Sequence, residues 1–322
     1  MKLPQGGIAF FDSGMGGLTV LDYCIRRLKG GLFYYYGDNA RAPYGNLPPQ
    51  TIRAYVGEAF AAFNRLNVQA AVLACNTATA LCIDGLRKKY PFPIIGTKPA
   101  VLTAAKGGGR VWSLTTRATF ESRPYKSLCA HARALNPNCK LTPFACDGLA
   151  GAIEKECLRV EAGKGLSAED FSKYLPRGNP TAVVLGCTHY VIIKKYLESF
   201  YGCPCYDSNE GIFARLRGIL SKQIPPFWDG QPPNRKRGDF QPFFTPVLRR
   251  KTLRVCLSRL KGKNTNVCLC RSLKTYGIQP LKGRVCKILF LGENSAKNAR
   301  FYKRMFVFPF FTKKMDENPK FL

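Results

Sequence analysis

Two segments of this chain repeat one another. "AVLACNTAT" (71–79) and "AVVLGCTHY" (182–190) each carry a short apolar run into a cysteine, with threonine close behind. A short continuous apolar run bounded by polar residues is the pattern of a strand buried on both faces. In each copy the segment that follows reads as a helix, so the repeat is strand, cysteine, threonine, helix. A chain built on such units folds most readily as a parallel sheet with helices on both faces.

The remaining sequence up to about residue 221 agrees. "IAFF" (8–11), "LFYYY" (32–36), "AAVLA" (70–74) and "PII" (93–95) read as strands. Between them, "LTVLDYCIRRL" (18–28) places Leu18, Leu21, Ile25 and Leu28 at helical spacing, and "TIRAYVGEAFAAFNRL" (51–66) puts Ile52, Tyr55, Val56, Ala59, Phe60, Phe63 and Leu66 on one helical face. A helix is also expected over 79–89. After "KGGG" (106–109) the alternation resumes, with strands at 110–114, 182–185 and 203–206 and helices at 120–135, 191–200 and 210–220. The expected architecture is α/β, with two similar domains related by pseudo-twofold symmetry and mainly parallel sheets. Domain one covers 1–98 with a return segment at 208–221, and domain two covers 99–207.

Beyond Ser221 the character changes. Residues 222–322 hold 23 of the 50 Lys and Arg but only 5 of the 20 acids. They are rich in Pro and aromatic residues and show no sustained periodicity. They are expected to form a basic extension, disordered, separately folded or aberrant. The charge and the aromatics of "FYKRMFVFPFF" raise nucleic-acid binding as a second class of function for this segment.

Fourteen cysteines in a chain of 322 residues do not read as the disulfide framework of a small secreted protein. The start has too short an apolar stretch before Asp12 for a secretory signal, and no window is long and apolar enough to span a bilayer. A reducing cytoplasm and free thiols are the expectation. Most such thiols pack as small hydrophobes.

Cys75 and Cys187 differ because each falls at the carboxyl end of a strand, where ligands collect in doubly wound sheets, and near the start of a helix, where the partial positive charge favours anions and lowers a thiol pKa. Two equivalent thiols from two similar domains suggest a pair facing one another across a cleft. That arrangement suits inversion at a carbon, in which one group removes a proton from one face and the other returns a proton to the opposite face. Asn76, Thr77 and Thr188 flank the thiols as hydrogen-bonding groups. "FFDSGMGG" (10–17) ends a strand at Asp12 and Ser13 and opens a helix through glycines. It lacks the third glycine of a dinucleotide fingerprint, since position 19 is Thr19, and the Lys-Ser/Thr of a P-loop. Close approach of a substrate to the backbone is the preferred reading, and Asp12 either polarises a thiol or caps the helix. "YGDNARAPYGN" (36–46) is a loop, a connector or a carrier of binding residues. His189 is either a structural residue or the partner of Cys187. Cys203–Cys205 and Cys268–Cys270 are C-x-C pairs without a second pair at zinc spacing, and no metal is expected.

The motifs "FDSGMGGLTVL", "YYGDNARAPYGN", "ACNTATA" and "LGCTHY", with weaker matches in "LTTRATFES" and "DSNEG", resemble the glutamate racemase family of the aspartate/glutamate racemase superfamily over roughly 8–221. The resemblance implies a cofactor-independent isomerase that makes D-glutamate for peptidoglycan, with its site in the cleft between two α/β domains. It implies Cys75 as base for the D-substrate and Cys187 as base for the L-substrate, assisted by Asp12, His189 and Glu154. It implies substrate contacts at Ser13, Pro43, Tyr44, Gly45, Asn76, Thr77, Thr119 and Thr188. The implied partner is glutamate, with a homodimer open. Aspartate or a related amino acid is the nearest alternative substrate, and a catalytically impaired homologue with a nucleic-acid-binding tail is the alternative of another class. Family members normally finish with a short segment completing domain one, and residues 222–322 stand in its place.

Overall fold

The structure is a computed structural model that describes residues 6–28, 31–161, 171–223, 286–291, 297–298 and 301. Two parallel sheets organise it. The first is built from β1 (Ile8–Asp12), β2 (Gly31–Gly37), β3 (Ala70–Leu73), β4 (Ile94–Gly96) and a late strand at Cys286–Leu291, in the order β4-β3-β1-β2-late strand. The second has β5 (Gly109–Thr115), β6 (Cys139–Ala145), β7 (Ala182–Gly186) and β8 (Cys205–Tyr206), in the order β6-β5-β7-β8; the late strand is accordingly β9. Every described pairing is parallel. β1, β3 and β7 are buried along their whole length, as parallel strands covered by helices on both faces must be.

The helices follow the apolar periodicity. α1 (Leu18–Arg27) buries Leu18, Leu21, Cys24 and Ile25, and α2 (Pro49–Arg65) buries Ile52, Val56, Ala59, Phe60 and Phe63. α3 (Asn76–Lys89) starts immediately after Cys75, three residues earlier than expected. The short α4 (Val101–Ala105) follows the crossover into the second sheet. The helix expected over 120–135 is two, α5 (Arg117–Glu121) and α6 (Arg123–Leu135). The break is a new N-terminus: Ser122 Oγ accepts the Tyr125 N–H at 3.4 Å, and Pro124 occupies the first turn, where its missing N–H costs nothing.

The helix expected over 191–200 is likewise split, into α8 (Thr188–Ile192) and α9 (Lys194–Tyr201), which ends at Gly202 in the left-handed region. β6 and α7 (Leu149–Glu161) were not read from the pattern. α10 (Asn209–Gln223) returns to the first unit and packs on α1 and β4. Where the chain crosses between the sheets in both directions, Ser208 Oγ donates to the Lys98 carbonyl at 2.8 Å.

The expectation for 222–322 needs correction in one part. Cys286–Leu291 pairs with β2 over six register positions, from Gly31↔Cys286 to Tyr36↔Leu291, and Leu291 and Phe301 are buried in the core. Cys286–Leu291 thus adds a strand to the first sheet. Its setting hid this strand: a single short apolar run in a basic, proline-rich segment lacks the alternation with helical patterns that marks the other strands. The "FYKRMFVFPFF" aromatics beyond Phe301, and the Cys268–Cys270 pair, lie outside the described residues. Among the described residues no helix is long and apolar enough to cross a membrane.

Candidate active site

Nearly every residue singled out above falls at the carboxyl ends of the two sheets. β1 ends in Asp12, which is fully buried; its Oδ1 accepts the Gly14 N–H and its Oδ2 the Thr188 hydroxyl, both at 3.0 Å. The second bond crosses from one sheet to the other. Burial raises the Asp12 pKa from 3.8 to about 6, against the lowering influence of His189 and of its hydrogen bonds.

The glycine-rich turn explains itself by what it touches. A Cβ on Gly14 would lie 2.6 Å from Glu154 Oε2, and one on Gly16 would lie 2.6 Å from Thr188 Oγ1 and 2.7 Å from the His189 nitrogen. Only bare backbone lets the turn of the first domain nest against α7 and α8 of the second.

Cys75 is the N-cap of α3. Its Sγ accepts the Ala78 N–H at 3.5 Å and donates to Ser13 Oγ at 3.6 Å. Cys187 holds the same position before α8, with His189 Nδ1 3.7 Å from its Sγ. The two thiols are 5% and 8% exposed, so both are buried. His189 Nε2 meets Glu154 Oε2 at 2.5 Å, and the same carboxylate accepts the Met15 N–H at 3.2 Å and, through Oε1, the Asn39 amide at 2.6 Å. Burial acts to lower the His189 pKa. Its hydrogen bonds to Cys187 and Glu154 and their negative charge prevail and raise it well above 6.5. The Cys187–His189–Glu154 line can therefore hold a proton on the imidazole.

The expectation of a lowered pKa does not hold for Cys75. Burial, and then the charge of Asp12, push its thiol up to about 12, outweighing the Ala78 N–H and Ser13. Cys75 rests as a protonated thiol.

A hydroxyl cluster forms where α3 meets α5. Thr77 Oγ1 lies 2.9 Å from Thr116 Oγ1 and 3.4 Å from Thr119 Oγ1, and Thr116 donates to Thr119 at 3.1 Å. Asn76 is buried and its Oδ1 has no protein partner, an unmet acceptor of the kind a ligand satisfies. The loop of 36–46 folds over this cluster. A Cβ on Gly45 would lie 3.2 Å from Thr116, Pro43 Cγ approaches Gly151, and the Tyr44 hydroxyl donates to Asp38, which also receives Arg41 Nε at 2.8 and 2.9 Å. Thus Ser13 bonds Cys75, Thr188 follows Cys187 and bonds Asp12, Asn76 and Thr77 open the helix that starts after Cys75, and Thr119 shares the hydroxyl cluster of Thr77. Pro43, Tyr44 and Gly45 form the wall beside it. Thr116, Asn39 and Tyr35, whose hydroxyl donates to the Gly14 carbonyl at 2.6 Å, were missed. Thr116 and Asn39 lay inside quoted motifs, but nothing in their spacing told a contact residue from its neighbours.

Among the described residues no group of three or more His, Cys, Asp or Glu is placed to hold a metal ion. Cys203 and Cys205 are free thiols, Cys205 within β8 and Cys203 just before it.

Residues 28–215 match the family model described as Asp/Glu/Hydantoin racemase. The glutamate racemase of Clostridium perfringens (strain SM101 / Type A) is 33% identical over 246 residues, 75% of this chain and 91% of that protein. That of Lysinibacillus sphaericus (strain C3-41) is 36% identical over 205 residues, 63% of this chain and 75% of that protein. Among solved structures, Escherichia coli glutamate racemase, in complex with L-glutamate and the activator UDP-MurNAc-ala, superposes with a TM-score of 0.59 at 28% identity, covering 69% of this chain and 85% of that one. Bacillus anthracis glutamate racemase isoform RacE1 gives 0.55 at 28% identity, covering 69% and 84%.

Proposed function

The chain belongs to the Asp/Glu/Hydantoin racemase family, and we propose that it interconverts L- and D-glutamate by two-base proton transfer between Cys187 and Cys75. The observation that carries this is the matched pair of buried thiols, each at the residue before a helix in its own domain, Cys75 beside the charge of Asp12 and Cys187 beside His189. In the direction from L to D, the Cys187 thiolate removes the α-proton, with His189 and Glu154 holding the proton that Cys187 had carried. The carbanion formed is planar at Cα, and the Cys75 thiol returns a proton on the opposite face. The reverse direction exchanges the roles. A Cys75 that rests protonated is already the acid the L-to-D direction needs.

The same reading assigns the substrate. Asn76 and the hydroxyls of Ser13, Thr77, Thr119 and Thr188 would bind its carboxylates and ammonium, together with the N–H groups at the start of α3. Holding the reacting carbon between the thiols removes much of the entropic part of the barrier. Glutamate, rather than aspartate, is favoured by the relatives named above. The use proposed for the product is peptidoglycan synthesis, in the cytoplasm; the activator named for the Escherichia coli relative, UDP-MurNAc-ala, supports that use.

The test is circular dichroism of L-glutamate and of D-glutamate incubated with the full-length protein. Loss of ellipticity from both is expected, with none for a Cys75→Ser, Cys187→Ser double variant. No change with folded wild type, or full activity in the double variant, would sink the proposal. Faster turnover of aspartate than of glutamate would reassign the substrate.

A further inference from the structure

Asn298 lies far along the chain from every motif of the site, yet it is fully buried against it. Its Nδ2 donates to the Gly37 carbonyl at 3.2 Å, while its Oδ1 is buried with no partner. An apolar side chain of similar size would fill this volume without stranding an oxygen. The bond the amide does make therefore has to matter for an amide to belong there.

That bond grips one side of a peptide unit. The Gly37 carbonyl and the Asp38 N–H share one planar peptide and point in opposite directions. The N–H donates to the Asp12 carbonyl at 3.0 Å, and the carbonyl accepts from Asn298. The peptide is thus held between the backbone of Asp12 on one side and Asn298 on the other. The fit is tight, since a Cβ on Gly37 would lie 2.6 Å from Asn298 Nδ2 and 2.8 Å from the Gly14 carbonyl. One residue further on, Asn39 donates to Glu154, which holds His189. Phe301 anchors the same segment in the core shared with Phe10 and Tyr35 but has no polar link to the site.

We propose that Asn298 is a positioning residue for the racemisation site: by fixing the Gly37–Asp38 peptide it sets Asp12 and the Asn39–Glu154–His189 line. Without the amide, that carbonyl is buried unpaired and the peptide is held from one side only. The kinetic part of this inference rests on the racemase reading.

The experiment compares full-length wild type, Asn298→Ala and Phe301→Leu. It records kcat, KM and their pH profiles, the thermal midpoint, and amide hydrogen exchange of the peptide spanning residues 36–41. For Asn298→Ala, kcat should fall on the order of tenfold with KM within about twofold. Its pH profile should shift, and exchange over 36–41 should speed up. Phe301→Leu should lower the thermal midpoint at least as much, yet keep the kcat and pH profile of wild type and its exchange over 36–41. If Asn298→Ala does not fold, Asn298→Ser keeps a donor and should show the same changes in smaller measure. Unchanged exchange over 36–41, or a kcat loss that merely tracks the thermal midpoint across both sites, would overturn the proposal. A wild type inactive on glutamate would sink the racemase reading alone, and the exchange comparison would still decide whether Asn298 positions the peptide.

Discussion

At Cys75 the two influences on a thiol at a helix start pull in opposite directions. A helix N-terminus stabilises a thiolate by about 0.3–1 kcal/mol at the surface, and by up to about 2 kcal/mol in partly buried geometry. Raising the thiol from 9.0 to about 12 corresponds to roughly 4 kcal/mol the other way. Burial beside Asp12 wins. The sequence placed the thiol correctly but could not reveal this, because it marks the helix start and not how dry the pocket is.

Asp12 shows the same burial in a group that titrates within reach. Folding raises its pKa, so the native state binds more protons than the unfolded chain between pH 3.8 and about 6. The stability this contributes is fully present below pH 3.8 and is lost as pH rises through about 6. The gap is worth roughly 3 kcal/mol, of which roughly 2 should appear between about pH 4.5 and about pH 8. Asp12→Asn cannot ionise. Urea unfolding of both proteins across that range should show the variant gaining roughly 2 kcal/mol on wild type as pH rises. A constant difference would mean that Asp12 is not buried as described.

Between residues and the molecule stand the strand-to-helix turns. Here the sequence was legible where two signals coincided. "FFDSGMGG", "LACNTAT" and "LGCTHY" each join a buried strand to a helix, and each appears where expected. β6 was missed because "CKLTPFA" alternates only weakly: its first three residues run buried, exposed, buried and its last three are half-buried. The splitting of the helix at Ser122 was readable from Ser-x-Pro chemistry, but helical spacing on both sides masked it.

The glycine turn makes a prediction at this scale. Gly16→Ala must move either the turn or the start of α8, since the atoms it meets are Thr188 Oγ1 and backbone of His189. Overpacking of this kind costs typically about 1–3 kcal/mol, and displacement near 1 Å at a reacting centre costs on the order of 100-fold in rate. Gly57, inside α2, has open space around its Cβ position. Gly57→Ala should stabilise the protein by about 0.5–1 kcal/mol at full activity. Racemisation rates with thermal midpoints on the two variants check both; equal rates would dismiss the nesting of turn against α8 as a requirement.

At the scale of the whole molecule the question is what completes the first sheet. β2 is buried from Phe33 to Gly37, and a parallel strand so apolar cannot be left as a sheet edge without inviting aggregation. β9 covers it, although about 60 residues of basic, proline-rich chain lie between α10 and β9 in sequence. Loop-closure entropy grows only with the logarithm of length, about 0.6 kcal/mol per doubling, so a long insertion there is tolerable. A segment that closes a sheet serves the fold first.

Leu291 separates the two descriptions by magnitude. It is 2% exposed and packs in the cluster of Phe11, Tyr34, Phe60 and Phe63. If β9 were an appendage, Leu291→Ala would be a surface change and would stay within about 0.5 kcal/mol of wild type. As the strand that closes the first sheet, it should lose about 2–5 kcal/mol in equilibrium urea unfolding, with the slope against denaturant unchanged. A loss below about 0.5 kcal/mol would detach β9 from the fold, and with it Asn298 from the site.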